Sequence, residues 1–118
     1  MTIEQIANRL VELCKEGKYD VAQKELYAQN ATSTEPEHSP ALKYAEGLDA
    51  IIKKGHEFQS AVEAVHSNEV SKPIIAGDFF SVSNVLDLTM KGMGRMTMSE
   101  IAVYKVADGK VVSEEFFY

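Results

Sequence analysis

The C-terminal stretch Glu100-Ile-Ala-Val-Tyr-Lys-Val-Ala-Asp-Gly-Lys-Val-Val-Ser-Glu-Glu-Phe-Phe-Tyr118 decides the fold. At its centre Asp108-Gly109 signals a two-residue hairpin, because both central positions of a type I′ turn need positive φ. A turn of that length fixes the pairing. Ala107 opposes Lys110, Val106 opposes Val111, Tyr104 opposes Ser113, Ala102 opposes Glu115, and Glu100 opposes Phe117. Directly opposed residues share a face. One face therefore collects Met96, Met98, Glu100, Ala102, Tyr104 and Val106 with Val111, Ser113, Glu115 and Phe117. The other collects Thr97, Ser99, Ile101, Val103 and Lys105 with Val112, Glu114, Phe116 and Tyr118. The first is the better concave side of a curved sheet.

Period-two patterning extends back to about Phe58. It predicts a strand region over 60–75, interrupted near Asn68–Pro73, a turn at Gly77-Asp78, a strand over 79–90 and a turn at 91–94. On the strand over 79–90, Phe80, Val82, Asn84, Leu86, Leu88 and Met90 form the inner set. The first third of the chain reads as helix. Thr2 and Gln5 fit a capping box. Ile3, Ile6, Ala7, Leu10, Leu13 and Cys14 recur at the three-four spacing of one buried stripe, and Gly17 stops it. A second helix is expected over 19–27 with Val21, Ala22, Leu26 and Tyr27 inward, a short strand over 31–34, and a third helix over 41–55. The two prolines of Glu35-Pro36-Glu37-His38-Ser39-Pro40 exclude regular structure there. Helices followed by an antiparallel meander make an α+β fold, with N-terminal helices packed into a curved, mostly antiparallel sheet, in a single domain over 1–118.

Composition narrows the function classes. The chain has 118 residues, 45% of them hydrophobic and 25% charged, which excludes disordered and fibrous classes. A formal charge of −6 with no basic cluster argues against a nucleic-acid partner. A single cysteine, Cys14, excludes an internal disulfide and a thiolate-rich zinc site. No apolar run approaches the ~20 residues of a membrane span, and the N-terminus lacks the pattern of a signal peptide, so a cytoplasmic protein with no membrane partner is expected.

Glu100 is the anomaly. Between Met98 and Ala102, a carboxyl group resists ionisation, so its pKa rises and it becomes fit for general acid–base work near neutral pH. A structural hydrogen bond to Tyr104, or a place at the rim, is the plainer alternative. Whichever of Glu114 and Glu115 faces inward lies near Glu100, and the pairing favours Glu115, although a one-residue bulge would exchange them. Asn84 and Tyr104 are candidates for holding a ligand oxygen. Met98 adds an adaptable apolar wall. His66, at strand spacing after Val62 and Ala64, is a candidate proton carrier. Cys14 reads as core. His38 and His56 read as exposed, and the histidines show no metal-ligand spacing.

The segments Ile6–Gly17, Leu26-Tyr27, Glu35-Pro36, Gly47-Leu48, Gly77-Asp78-Phe79-Phe80 and Glu100–Tyr118 together resemble the SnoaL-like branch of the nuclear-transport-factor-2-like superfamily. The resemblance spans nearly the whole chain. It implies a cone-shaped, cystatin-like half barrel, an apolar cavity between helices and concave sheet, and a homodimer formed through the convex face. Relatives include polyketide cyclases, steroid isomerases, dehydratases, epoxide hydrolases and non-enzymatic modules. The epoxide hydrolase pattern ends its last strand in Tyr-Phe-Asp. Here that strand ends Phe116-Phe117-Tyr118, which removes this activity. Glu35, in its Glu-Pro pair at the cavity mouth, and Glu100 lie closest to a family-like pattern.

Two readings follow. In one, a small apolar carbonyl compound undergoes isomerase, cyclase or dehydratase chemistry. Glu100 is then the acid or base with His66 and Glu115 assisting, while Tyr104, Asn84, Glu35, Glu114 and Met98 line the ligand. Such proton transfer requires no metal and no cofactor. In the other, the chain is a non-catalytic homodimeric module for ligand binding or protein association, with Ser99, Ile101, Val103, Val112 and Phe116 as its dimer face.

Overall fold

Thr2 and Gln5 start the first helix, α1 (Ile3–Lys15), with a reciprocal cap. The Gln5 N–H donates to Thr2 Oγ1 at 3.2 Å, and the Thr2 N–H donates to Gln5 Oε1 at 2.8 Å. In this computed structural model, which describes residues 1–118, α1 buries Ile6, Ala7, Leu10, Val11 and Leu13. Gly17, at φ +72°, ends it in the left-handed conformation that glycine adopts freely.

Helix α2 (Tyr19–Leu26) buries Ala22 and Leu26, which stand one turn apart. Val21, expected inside, is exposed, because a helix of this length points one stripe inward and Val21 lies off it. Tyr27 is buried, but as the first residue of a strand, β1 (Tyr27–Thr34), which begins four residues earlier than expected. The third helix is also displaced. Residues Tyr44–Glu46 form a short strand, β2, paired with β1, and α3 runs over Leu48–Ala61 from Gly47. Its inward stripe of Leu48, Ile51, Gly55 and Phe58 keeps the three-four spacing to its end, so the helical period outlasts the onset of alternation read at Phe58.

Four strands remain to be placed besides one short one. They are β3 (Val62–Val70), β4 (Ile74–Ala76), β5 (Phe79–Met90), β6 (Gly94–Ala107) and β7 (Lys110–Phe117). The path through the sheet is β2-β1-β7-β6-β5-β3, with β4 on β5. Every pairing is antiparallel except β1 with β7, which is parallel, so the sheet is mixed and curves around the helices without closing. Asp108 and Gly109, at φ 52° and 73°, make the expected hairpin turn between β6 and β7.

The register beyond that turn departs from the simple one. Val106 opposes Val111, but Lys105 opposes Ser113, so Val112 is the extra residue of a β-bulge. A bulge turns every later side chain to the opposite face. Tyr104 consequently pairs with Glu114, Ala102 with Phe116, and Ile101 with Phe117. Val111 stays in the core at 0% exposure, while Glu114 and Phe116 replace Glu115 and Phe117 on the concave side. The concave sets on β5 and β6 are the expected ones. The core joins Ile6, Leu10, Leu26, Ile51, Phe80 and Val111, and Phe80 stacks on Tyr104 with ring centroids 4.7 Å apart. No helix is long and apolar enough to cross a membrane.

Candidate functional site

The helices do not fill the curve of the sheet. Between them lies a cavity of about 530 Å³, walled by α1, α2 and α3 on one side, by the concave faces of β5, β6 and β7 on the other, and by residues 39–42 at its mouth. Its surface is mostly apolar, with Met90, Met93, Met96 and Met98 along the sheet and Phe58 and Ile51 across from them. A cavity of this size with a few polar groups is the form that small-molecule sites take.

Glu100 lies in this wall, directly opposite Asn84 on β5. Burial among apolar neighbours pushes its carboxyl up to about 7, the negative charges of Glu35 and Glu114 push the same way, and the Lys54 ammonium opposes them. Glu100 is therefore poised between its two protonation states at neutral pH.

Glu114 occupies the next part of the same wall and is 3% exposed. Tyr27 and Ser33 donate hydroxyl hydrogen bonds to its two carboxylate oxygens, the Ser33 bond at 2.6 Å. Burial raises its pKa against these donors. Row by row across the sheet, Phe80, Tyr104, Glu114, Ser33 and Ala45 stand side by side, because β1 runs parallel to β7. Burial and the Glu114 charge hold the Tyr104 phenol well above its usual range, so it remains a neutral donor.

The hydrogen-bonded chain continues from Ser33 to the cavity mouth. Lys54, on α3, donates to Ser33 Oγ at 2.6 Å and to Glu35 Oε2 at 3.1 Å. Both partners of this ion pair are nearly buried, with side chains 13% and 12% exposed. Tyr118 contacts Glu35 Oε1 at 2.6 Å and Ser39 Oγ at 2.7 Å, and its ring meets His38 edge-on. The last residue of the chain thus ties the proline loop to the site.

The structure brings together Glu100, Glu114, Tyr104, Glu35 and Met98, and it places Asn84 on the same wall. Asn84 spends its two amide hydrogens on Asn68 Oδ1 at 2.7 Å and the Glu69 carbonyl at 3.1 Å, both on β3. Its work is to bind two strands together, and Asn68 in turn donates to the Cys14 carbonyl at the end of α1. Two candidates lie elsewhere. Glu115 is on the exposed convex side because of the bulge at Val112. His66 is exposed beside Thr89 Oγ1, 2.8 Å away, because the register shift between Val62 and Ala64 already turns Ala64 outward opposite Thr89, and His66, left unpaired by a second shift, follows it to that side. Cys14 lines the cavity with its thiol pushed up to about 12 by burial, so it stays protonated.

Lys54, Ser33, Tyr27 and Tyr118 escaped the sequence reading. The signals were present for two of them. Lys54 follows Ile51 by three residues and precedes Phe58 by four, which puts it on the inward stripe of α3. Ser33 alternates with Ala31 and Glu35.

A SnoaL-like domain model matches residues 1–118. The chain belongs to this family. A protein from Mesorhizobium loti, named for its resemblance to SnoaL-like polyketide cyclases, shares 34% of its residues with this SnoaL-like chain and superposes with a TM-score of 0.92, covering 100% of both chains. A protein of unknown function with a cystatin-like fold from Xanthomonas campestris superposes at 0.83 with 12% identity over 99% of this chain and 90% of its own. A Catenulispora acidiphila protein with a ketosteroid isomerase-like fold, crystallised with trimethylamine, superposes at 0.75 with 17% identity over 99% of this chain and 87% of its own. The latter two likenesses speak to fold alone. No curated protein sequence matches the chain.

Proposed function

We propose that this SnoaL-like protein binds a small apolar carbonyl compound in its cavity and moves a proton on it by way of Glu100. One observation carries the reading: Glu100 is held in an apolar wall facing a cavity of about 530 Å³, with its carboxyl poised near 7. In the ionised form it takes a proton from the carbon next to a carbonyl. The C–H electron pair becomes the carbon–carbon double bond of an enolate, and the carbonyl π pair moves to oxygen. Glu100, now neutral, returns the proton to carbon or to a leaving oxygen. Isomerisation, ring closure and loss of water all begin with this step. Tyr104, kept neutral, is a donor for the oxygen. Exchange of the α-hydrogens of β-tetralone into heavy water, followed by proton magnetic resonance, tests this. The protein accelerates exchange, the rate rises with pH through about 7 and then levels, and Glu100→Gln removes roughly 10²–10⁴ of the acceleration. Exchange that survives Glu100→Gln sinks the proposal.

We infer further that two copies pair through the convex face of the sheet. Ile101 and Phe117 oppose each other there, 52% and 49% exposed, beside Val103. Phe117 thus takes the place expected of Phe116, which the bulge turns inward. Sedimentation of the wild type as a dimer and of Ile101→Lys as a monomer is the expected result; a monomeric wild type at micromolar concentration ends this reading.

A further inference from the structure

The Lys54–Glu35 pair poses a physical problem. Burying two opposite charges strips both of their water, and their attraction offsets that only with good geometry and further hydrogen bonds. A non-polar pair of similar volume would serve packing as well. Lys54 instead leans over the Phe116 ring, 5.3 Å from its centroid, and lines the ligand cavity.

The ammonium has three hydrogens. Ser33 Oγ accepts one and Glu35 Oε2 accepts another. These partners are themselves fixed: Ser33 donates to Glu114 at 2.6 Å, and the other oxygen of Glu35 is held by Tyr118 at 2.6 Å. The head group is therefore held in place from two sides, and the protein supplies no third acceptor. The Lys54 charge is also felt at Glu100, where it favours the ionised form. Asn84 on this wall is less suited to an incoming oxygen, since it has used both its donors on β3, and Tyr104 offers a second, uncharged donor in the same cavity.

We propose that Lys54 is the oxygen anchor of the site, its third N–H donating to the ligand's carbonyl oxygen while Glu35 and Ser33 hold the ammonium in position. This builds on the proton-transfer reading, because an oxygen held there gains negative charge as Glu100 removes the neighbouring proton. A preorganised cation stabilises that charge more in the product-like state than in the ground state. The site then selects compounds carrying a carbonyl acceptor over hydrocarbons of the same shape. Glu35, whose carboxylate oxygens are both taken, one by Lys54 and one by Tyr118, is a positioning residue.

Binding separates this role from a structural one. The probes are β-acetonaphthone and β-ethylnaphthalene, alike in size and differing in one carbonyl, titrated at pH 8.5, where Glu100 is ionised and cannot donate. Wild type binds the ketone at least about tenfold more tightly, the worth of a charge-assisted hydrogen bond. Lys54→Met removes the greater part of that preference and leaves hydrocarbon affinity unchanged, and Tyr104→Phe, which deletes the uncharged donor, removes the smaller part. Should Lys54→Met fail to fold, the double change Lys54→Met with Glu35→Gln removes both charges and leaves no orphan carboxylate, with the same expected loss. A preference undiminished without Lys54, or one that falls further in Tyr104→Phe than in Lys54→Met, overturns the assignment. No preference in wild type overturns it too. Failure of β-tetralone exchange with a Lys54-dependent preference intact refutes the chemistry and keeps the anchor; exchange without such a preference does the reverse.

Discussion

The two faces of β5, β6 and β7 are made by the same strands, yet they treat carboxylates in opposite ways. On the convex face Asp87 meets Arg95 through two hydrogen bonds, at 3.0 and 2.9 Å, and its pKa is lowered by that guanidinium. On the concave face Glu100 and Glu114 have raised pKa values, with burial as the first cause in each. An exposed acid beside a cation keeps its charge at little cost, whereas a buried one resists charge even where donors reach it. The difference keeps a convex-face carboxylate charged and makes the concave face a place where protons are negotiable near neutral pH.

The contrast can be broken experimentally. Phe79 and Phe80 are adjacent in sequence and face opposite ways, 48% and 1% exposed. Phe80→Ala should cost ~3–5 kcal/mol in urea unfolding, as an aromatic core truncation does, whereas Phe79→Ala should cost under about 1 kcal/mol. Similar losses at both would mean that the two sides are not distinct environments.

Glu100→Gln probes the concave acid directly. Its carboxyl titrates near 7 in the folded state against 4.5 as the ordinary value. The folded protein therefore binds the proton more tightly than the unfolded chain, and wild-type stability falls as pH rises between those values. The full effect is at most roughly 3 kcal/mol. Glu100→Gln should flatten this slope and be more stable than wild type at pH 8, as read from thermal melts across that range. An unchanged slope would place Glu100 in a solvent-like environment. Glu114→Leu leaves the Tyr27 and Ser33 hydroxyls without their acceptor and should cost about 1–3 kcal/mol. Glu115→Leu on the convex side should stay within about 0.5 kcal/mol. The reverse ranking would show that β7 lacks its bulge. Asp87→Asn should give the smallest effect. Its carboxyl has a depressed folded-state pKa, so its contribution is present at neutral pH and fades as acid protonates it. At neutral pH the melting midpoint should barely move.

Much of the architecture was readable from local patterns. The Thr2–Gln5 cap, the Asp108-Gly109 turn and the inward sets of β5 and β6 depend on neighbours close along the chain, and all are seen. The inward position of Glu100 was readable for the same reason, since alternation fixes a residue's face once its neighbours are assigned. The start of α3 was misread because Leu42 and Ala45 happen to fit its apolar spacing, while pairing with β1 claims Tyr44–Glu46 as strand. Propensity yields there to a distant partner. The bulge at Val112 reversed Glu114 and Glu115, and no side chain near it announces which residue will be left unpaired.

The alternation of apolar and polar residues, a property of the chain itself, determined that this protein folds as helices against a curved sheet with an acid on the inner side. Tertiary structure alone decided what surrounds that acid. Tyr27 and Ser33 on β1, Glu35 in the proline loop, Lys54 on α3 and Tyr118 after β7 join Glu114 in one hydrogen-bonded chain only because β1 runs parallel to β7 and Tyr118 returns to the proline loop. Hydrogen bonds and Coulomb interactions act over a few ångströms in space, so residues far apart in sequence become partners only when the fold has brought them together.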